Sequence, residues 1–187
     1  ARGIFVPSRM SSHGLMNHYN ATYAHIYWTG GAAWAAHFYF EYFRHTQDTS
    51  FLRERALPIL TEAALFYEDY FARPNAAPAE ALCFAPSYSP ENSPSNVSGD
   101  VQVASNATIE IDLVRELFTN LERTYRILGL ETADRARWRE MVRLLPPYHI
   151  NADGAVSEWA DERLEDSYDH RHASHLYRLY YERPDAL

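Results

Sequence analysis

Apolar positions along the 187-residue chain fall into helical stretches separated by one long interruption. Residues 1–28 mix His, Asn and Tyr without a clean period. After Gly30-Gly31, the run Ala32, Ala33, Trp34, Ala35, Ala36, Phe38, Tyr39, Phe40, Tyr42 and Phe43 is apolar nearly all round. A helix with so little polar face is expected to be buried among other helices. Asp48-Thr49-Ser50 then offers capping oxygens, and Pro58 suits the first turn of a new helix, where its missing N–H is not needed. Beyond it, Ile59, Leu60, Ala63, Ala64, Tyr67, Tyr70 and Phe71 recur at i, i+3, i+4, the spacing of an amphipathic helix.

Residues 73–104 break the pattern. Five of the ten prolines (Pro74, Pro78, Pro86, Pro90 and Pro94) fall here, interleaved with Ser and Asn. A loop of this length in a compact domain is either functional or disordered, and Cys83-Phe84 and Tyr88 give it apolar anchors. Helical spacing resumes after Ser105 or Asn106 with Leu113, Val114, Leu117, Leu121, Tyr125 and Leu128, and Gly129 is placed as a C-terminal cap. Thr132 can cap a shorter helix through Met141, Val142 and Leu145, stopped by Pro146-Pro147. Asn151-Ala152-Asp153-Gly154 reads as a turn between two short extended pieces, followed by an acidic stretch and a His-rich start to a last apolar segment. The pattern predicts a mostly α chain built from helix pairs.

Composition narrows the partners. Hydrophobic residues make up 47% and charged residues 22%, enough apolar surface for one domain with a sizeable core and too much for a disordered chain. A formal charge of −8 gives phosphate backbones nothing to attract them, so no nucleic acid partner is expected. No apolar run approaches the roughly 18 residues that span a bilayer, and no membrane partner is expected. Cys83 is the only cysteine, which excludes an intrachain disulfide or a multi-cysteine metal site. The chain opens without Met in the middle of a pattern, as a fragment would. Aromatics reach 14%, led by 14 Tyr; flat rings with polar edges suit stacking on sugars as well as ordinary packing.

Three strings carry candidate chemistry. His170-Arg171-His172-Ala173-Ser174-His175 spaces imidazoles as a zinc-binding H-x-H-x-x-H string does, but the cation of Arg171 opposes a metal there. It also reads as a structural His cluster, or as a polar substrate loop in which the guanidinium donates to hydroxyls or a carboxylate. Ser87-Tyr88-Ser89-Pro90-Glu91-Asn92 offers a carboxyl beside a stiff Pro; enclosed in an aromatic loop it could serve as a general acid, and left outside it is ordinary turn composition. Ser157-Glu158-Trp159-Ala160-Asp161-Glu162 flanks a Trp with carboxylates, either an acid/base or hydroxyl-binding element or the solvated end of a strand. Asn-x-Ser/Thr matches occur at Asn20, Asn96 and Asn106.

Taken in order, these strings resemble glycoside hydrolase family 95, whose best-known members are inverting α-1,2-L-fucosidases. The resemblance rests on Trp28-Thr29-Gly30-Gly31-Ala32-Ala33-Trp34 with His37-Phe38-Tyr39-Phe40-Glu41-Tyr42, on Phe51-Leu52 and Ala56-Leu57-Pro58, and on Pro86 to Asn92. It continues through Glu116-Leu117-Phe118, Gly154-Ala155-Val156-Ser157-Glu158-Trp159 and His170 to Tyr177. It implies an all-α fold, part of an (α/α)6 barrel with a long Pro-rich active-site loop, lying in the family between a β-sandwich and a C-terminal β domain that this chain lacks. It implies Glu91 as general acid, Arg171 and His172 as residues holding the fucose, and Trp34 and His37 as lining or backing the pocket. No metal or organic cofactor is implied, and the expected partners are a fucosylated glycan and the missing domains of the parent chain.

The family's base is an Asp in a downstream Asp-Gly-Asn-type string, acting with two Asn of an upstream Asn-x-Asn string. Neither string is present, and Asp153-Gly154 is followed by Ala155. The resemblance therefore implies the acid half of the machinery without the base, in a fragment that is inactive and poorly stable alone because Trp34 and Phe38 would lack partners. A helical sugar-binding or scaffold module without turnover, and a zinc hydrolase using His170, His172 and His175, are the alternatives.

Overall fold

A computed structural model describes residues 2–16, 24–72, 81–98 and 103–181. The described residues form six α-helices: α1 (Gly31–Thr46), α2 (Thr49–Phe51), α3 (Leu57–Phe71), α4 (Thr108–Ile127), α5 (Asp134–Leu144) and α6 (Tyr177–Tyr181). Extended pairing among the described residues is limited to isolated bridges, so the class is all-α, as the pattern predicts. None of these helices is long and apolar enough to cross a membrane. The chain divides into two compact units: Ala1–Val6, Gly30–Leu82 and Leu113–Leu145 form a helical unit, and Pro7–Thr29, Cys83–Asp112 and Pro146–Leu187 a loop-rich one.

In the helical unit, α1 starts at a glycine for a steric reason. A Cβ on Gly31 would lie 2.1 Å from the carbonyl oxygen of Val6. The helix packs on α3, and its Ala32, Ala33, Ala36, Phe40 and Phe43 are buried. Its opposite side is open: Phe38 is 58% and Tyr42 48% exposed. The all-round burial expected from composition is therefore not what this chain builds.

Asp48 caps the next helix as expected, its Oδ1 accepting the Phe51 N–H at 3.0 Å. Pro58 sits in the first turn of α3, as predicted, but α3 is not set apart from the turn before it. The chain is helical without a break from Thr49 to Phe71, passing through a π-helical turn at Leu52–Ala56 in which the Leu57 N–H reaches back to the Leu52 carbonyl. In a regular α-helix the proline ring would clash with the carbonyl four residues earlier. The wider π turn lies where that clash would fall.

On α3 the predicted stripe is buried at Leu60, Ala63, Ala64 and Tyr67, and the same face buries Glu68. That carboxylate accepts from the Trp138 indole N–H at 3.0 Å, from Arg137 at 2.9 Å and from Arg2 at 3.2 Å. A buried carboxylate is tolerated only when so supplied with donors. Glu68 thus ties α3 to α5, whose Trp138 is buried edge-on to Tyr125.

Gly129 ends α4 at φ +63°, with its N–H on the Arg126 carbonyl and the Leu130 N–H on that of Tyr125. This pair of bonds is the Schellman arrangement, which needs a residue at ease in the left-handed region. Thr132 accepts the Asp134 N–H at 3.3 Å ahead of α5.

The loop-rich unit has little regular backbone. Its elements are a 3-10 turn at Ala24–Tyr27, the first turn of α4, a 3-10 turn at Ser174–Leu176 and the short α6. Bridges join Ser87 to Ala104, Ala107 to Trp159 and Ile150 to Val156. Phe84, Tyr88 and Trp159 are fully buried, so two of the three proposed loop anchors hold, while Cys83 is exposed. The Asn151–Gly154 turn forms as predicted: the Asn151 side chain accepts the Asp153 and Ala155 N–H groups, and Gly154 takes φ +79°.

Candidate active site

The segment from Ser87 to Asn92 is held mainly by side chains. Ser87 donates to Glu110 Oε2 at 2.5 Å, and its hydroxyl accepts the Ala107 N–H at 2.9 Å. Ser89 donates to Glu158 Oε1. Tyr88 between them is fully buried, and Asn92 closes the turn by donating its N–H to the Ser89 carbonyl at 2.7 Å. Both the Ala85–Pro86 and the Pro90–Glu91 peptides are cis.

Two buried carboxylates therefore grip the two serines ahead of Glu91. Glu110, without measurable exposure, also accepts from the Thr29 N–H at 2.7 Å and the Thr29 hydroxyl at 2.8 Å. Burial pushes its carboxyl up to about 7, while bonds from Ser87, Thr29 and the Tyr88 backbone pull the other way. Glu158, 3% exposed, divides its oxygens between Ser89 and His175, whose Nδ1 lies 2.5 Å from Oε2. That hydrogen bond raises the His175 pKa against the opposing effect of burial.

The His-rich string meets the same loop from the other side. Arg171 pairs with Glu91 Oε2, and His25 Nε2 lies 3.4 Å from Oε1. His172 Nδ1 is 3.3 Å from both the Glu91 N–H and the Pro90 carbonyl oxygen, and Ser174 donates to that oxygen at 2.7 Å. A cavity of about 90 Å³ opens beside this string, lined by Glu158, Asp166, Ser167, Tyr168, His170, His172, Ala173 and His175. It offers carboxylates, imidazoles, a phenol and a hydroxyl within a small volume, a donor and acceptor set suited to polyhydroxylated ligands.

The family model for the glycosyl hydrolase family 95 catalytic domain matches residues 1–184. The chain belongs to that family. Among curated proteins, Alpha-L-fucosidase 2 of Arabidopsis thaliana is 29% identical over 156 residues, covering 82% of this chain and 18% of the plant protein. Probable alpha-fucosidase A of Aspergillus niger is 27% identical over 150 residues, covering 79% of this chain and 18% of that protein. The family 95 chain thus spans under a fifth of the length of these relatives.

Of the residues singled out from sequence, Glu91, Arg171 and His172 come together in one cluster of the loop-rich unit. Trp34 and His37 belong to α1 in the helical unit, where His37 is buried with Nδ1 2.7 Å from Glu116 Oε1. The expected enclosure of Glu91 is not present: its side chain is 30% exposed and ion-paired, because the loop turns it toward Arg171 and His25. The imidazoles of the His string turn to separate partners, His170 to the His172 N–H, His172 to the Pro90–Glu91 peptide and His175 to Glu158. Among the described residues no three His, Cys, Asp or Glu converge as metal ligands would.

Sequence reasoning missed Glu110 and placed Glu158 only as one of two alternatives. Glu110 opens α4 between Ile109 and Ile111, where an acid is favoured by the helix dipole and reads as solvent-facing. Its apolar neighbours on both sides were the available signal. Glu158 is not the solvated end of a strand: it is buried beside Trp159, and its N–H donates to Asp166 at 2.7 Å.

Proposed function

We propose that this chain is the acid-bearing portion of a glycosidase catalytic domain that releases terminal L-fucose, α-1,2-linked, from glycans with inversion. The observation that carries the reading is the convergence of Glu91, Arg171 and His172, brought from 80 residues apart in a family 95 chain. The relatives' names, both fucosidases, supply the sugar. Glu91 is the proton donor to the departing glycosidic oxygen. Arg171 and His172 present N–H groups to the sugar hydroxyls and hold the anomeric carbon toward an attacking water.

In the structure Arg171 occupies the Glu91 carboxylate. Binding of a fucoside gives the guanidinium hydroxyl partners and turns the Glu91 carboxyl to the scissile oxygen. In an inverting enzyme a second group activates the water from roughly 6.5–9.5 Å away, and no residue of this chain is assigned that role. The exposed Phe38 and Tyr42 on α1 support reading the chain as one part of a larger helical domain. Replacing Glu91→Gln in the full protein tests the assignment: fucose release from an α-1,2-fucosylated oligosaccharide should fall by at least about 10²-fold, the lower range for a lost general acid. Unchanged release removes Glu91 from the mechanism.

A further inference from the structure

We propose that Glu158 is a positioning residue of the fucosidase reaction, a buried clasp that fixes the distance between the Glu91 loop and the Arg171–His172 loop. The proposal rests on the functional reading above and adds to it a residue whose carboxylate bonds the two loops rather than the acid itself. Its basis is the division of one carboxylate between the two loops. Oε1 takes the hydroxyl of Ser89, two residues before Glu91, and Oε2 takes the Nδ1 side of His175, three residues after His172.

Glu158 is itself well anchored. Its carbonyl accepts the Thr108 N–H at 3.0 Å, its N–H donates to Asp166 at 2.7 Å, and Trp159 next to it is fully buried. The two loops it joins have no helix or sheet in common to set their separation. Other ties do exist between them: the Arg171–Glu91 pair, the His172 contact with the Glu91 N–H, and the Ser174 bond to the Pro90 carbonyl. The first two are made by groups that exchange partners when a sugar binds. The Glu158 clasp involves none of those groups, so it holds the loops while they do. A carboxylate removed from water is costly unless its oxygens are supplied with donors, and among the described residues its donors come from the two loops it joins.

Acid positioning and general structural support separate through the leaving group. A fucosyl fluoride departs without protonation, whereas a glycan needs the acid. In the full protein, Glu158→Ala is expected to lower kcat/KM for the fucosylated oligosaccharide by about 10²-fold, as small misplacements of reacting groups do, and that for α-L-fucosyl fluoride by less than about threefold. Ser89→Ala, a milder change that cuts only the acid-loop arm, is expected to show the same selectivity and carries the test if the first variant fails to fold. Equal losses on both substrates, or no loss on either, overturn the positioning role while leaving the fucosidase reading intact. An unmutated protein that cleaves neither substrate overturns that reading and the clasp with it.

Discussion

In the helical unit the buried carboxylate of Glu68 sits between helices that satisfy their backbone groups locally; in the loop-rich unit Glu110 and Glu158 hold segments that have no helix or sheet to do so. Glu68 locks one surface to another that would exist without it. Glu110 and Glu158 define where a loop runs. The difference teaches where the costs of change should fall. Regular structure spreads its stability over many apolar contacts, whereas an irregular segment concentrates it in a few polar groups whose loss leaves several donors orphaned at once. The candidate chemistry lies in the second kind of structure, on loops held by a small number of charges.

The sharpest way to break this comparison is to remove Glu110. Glu110→Ala leaves the Thr29 N–H, the Thr29 hydroxyl and the Ser87 hydroxyl without their acceptor, and should cost about 3 kcal/mol or more. Calorimetry near pH 5 would read this as a fall in Tm; an unchanged Tm would mean that the loop is held by other means.

The same residue predicts a pH dependence of similar size. Burial raises its folded-state pKa from 4.5 to about 7. The protonated form is favoured on folding, so the stability this group contributes is fully present below pH 4.5, declines as pH rises, and is gone above about 7. The span is on the order of 3 kcal/mol. Denaturant titrations between pH 4.5 and 7.5 should show this decline in the unmutated protein and a flatter profile in Glu110→Gln. Identical profiles would contradict the burial argument.

In the helical unit Glu68→Ala should cost less, about 2 kcal/mol, because the main orphan is the buried Trp138 N–H. Glu68→Gln keeps an acceptor there and should recover most of the loss; recovery absent from chemical denaturation curves would show that charge, not acceptance, matters. The smallest effect is expected at Gly129→Ala. A Cβ there meets nothing within 4 Å, so only the positive φ opposes it, at about 1 kcal/mol. A neutral result would mean that the helix end relaxes.

These expectations follow the same division as legibility in the sequence. The stripes of α3 and α4, the Asp48 and Gly129 caps and the Asn151–Gly154 turn are written in residues close to one another, and the structure has them. The strings around Glu91 and Arg171 could be picked out because they carry unusual side chains at fixed spacing. Pro58 marks the first turn of α3 as read, but the π turn that carries the helix on from Thr49 is invisible to a 3.6-residue period. Glu68 and Glu110 were hidden, and the role of Glu158 was left open, for a different reason. A carboxylate reads as solvent-facing unless its donors are known, and theirs arrive from segments as far as 81 residues away. Phe38 is exposed, as expected of a helix from part of a ring, although its apolar run read alone pointed to burial, since composition says that a side chain is apolar and not whether this chain covers it.

The central claim is that Glu91 delivers a proton while water attacks a fucoside from the opposite face. Proton NMR of the full protein with an α-1,2-fucosylated oligosaccharide, followed from the first minutes beside Glu91→Gln, tests it most directly. The account predicts β-fucose as the first product, formed by the unmutated protein alone. α-Fucose appearing first would contradict inversion, and equal release by both proteins would contradict Glu91 as the acid.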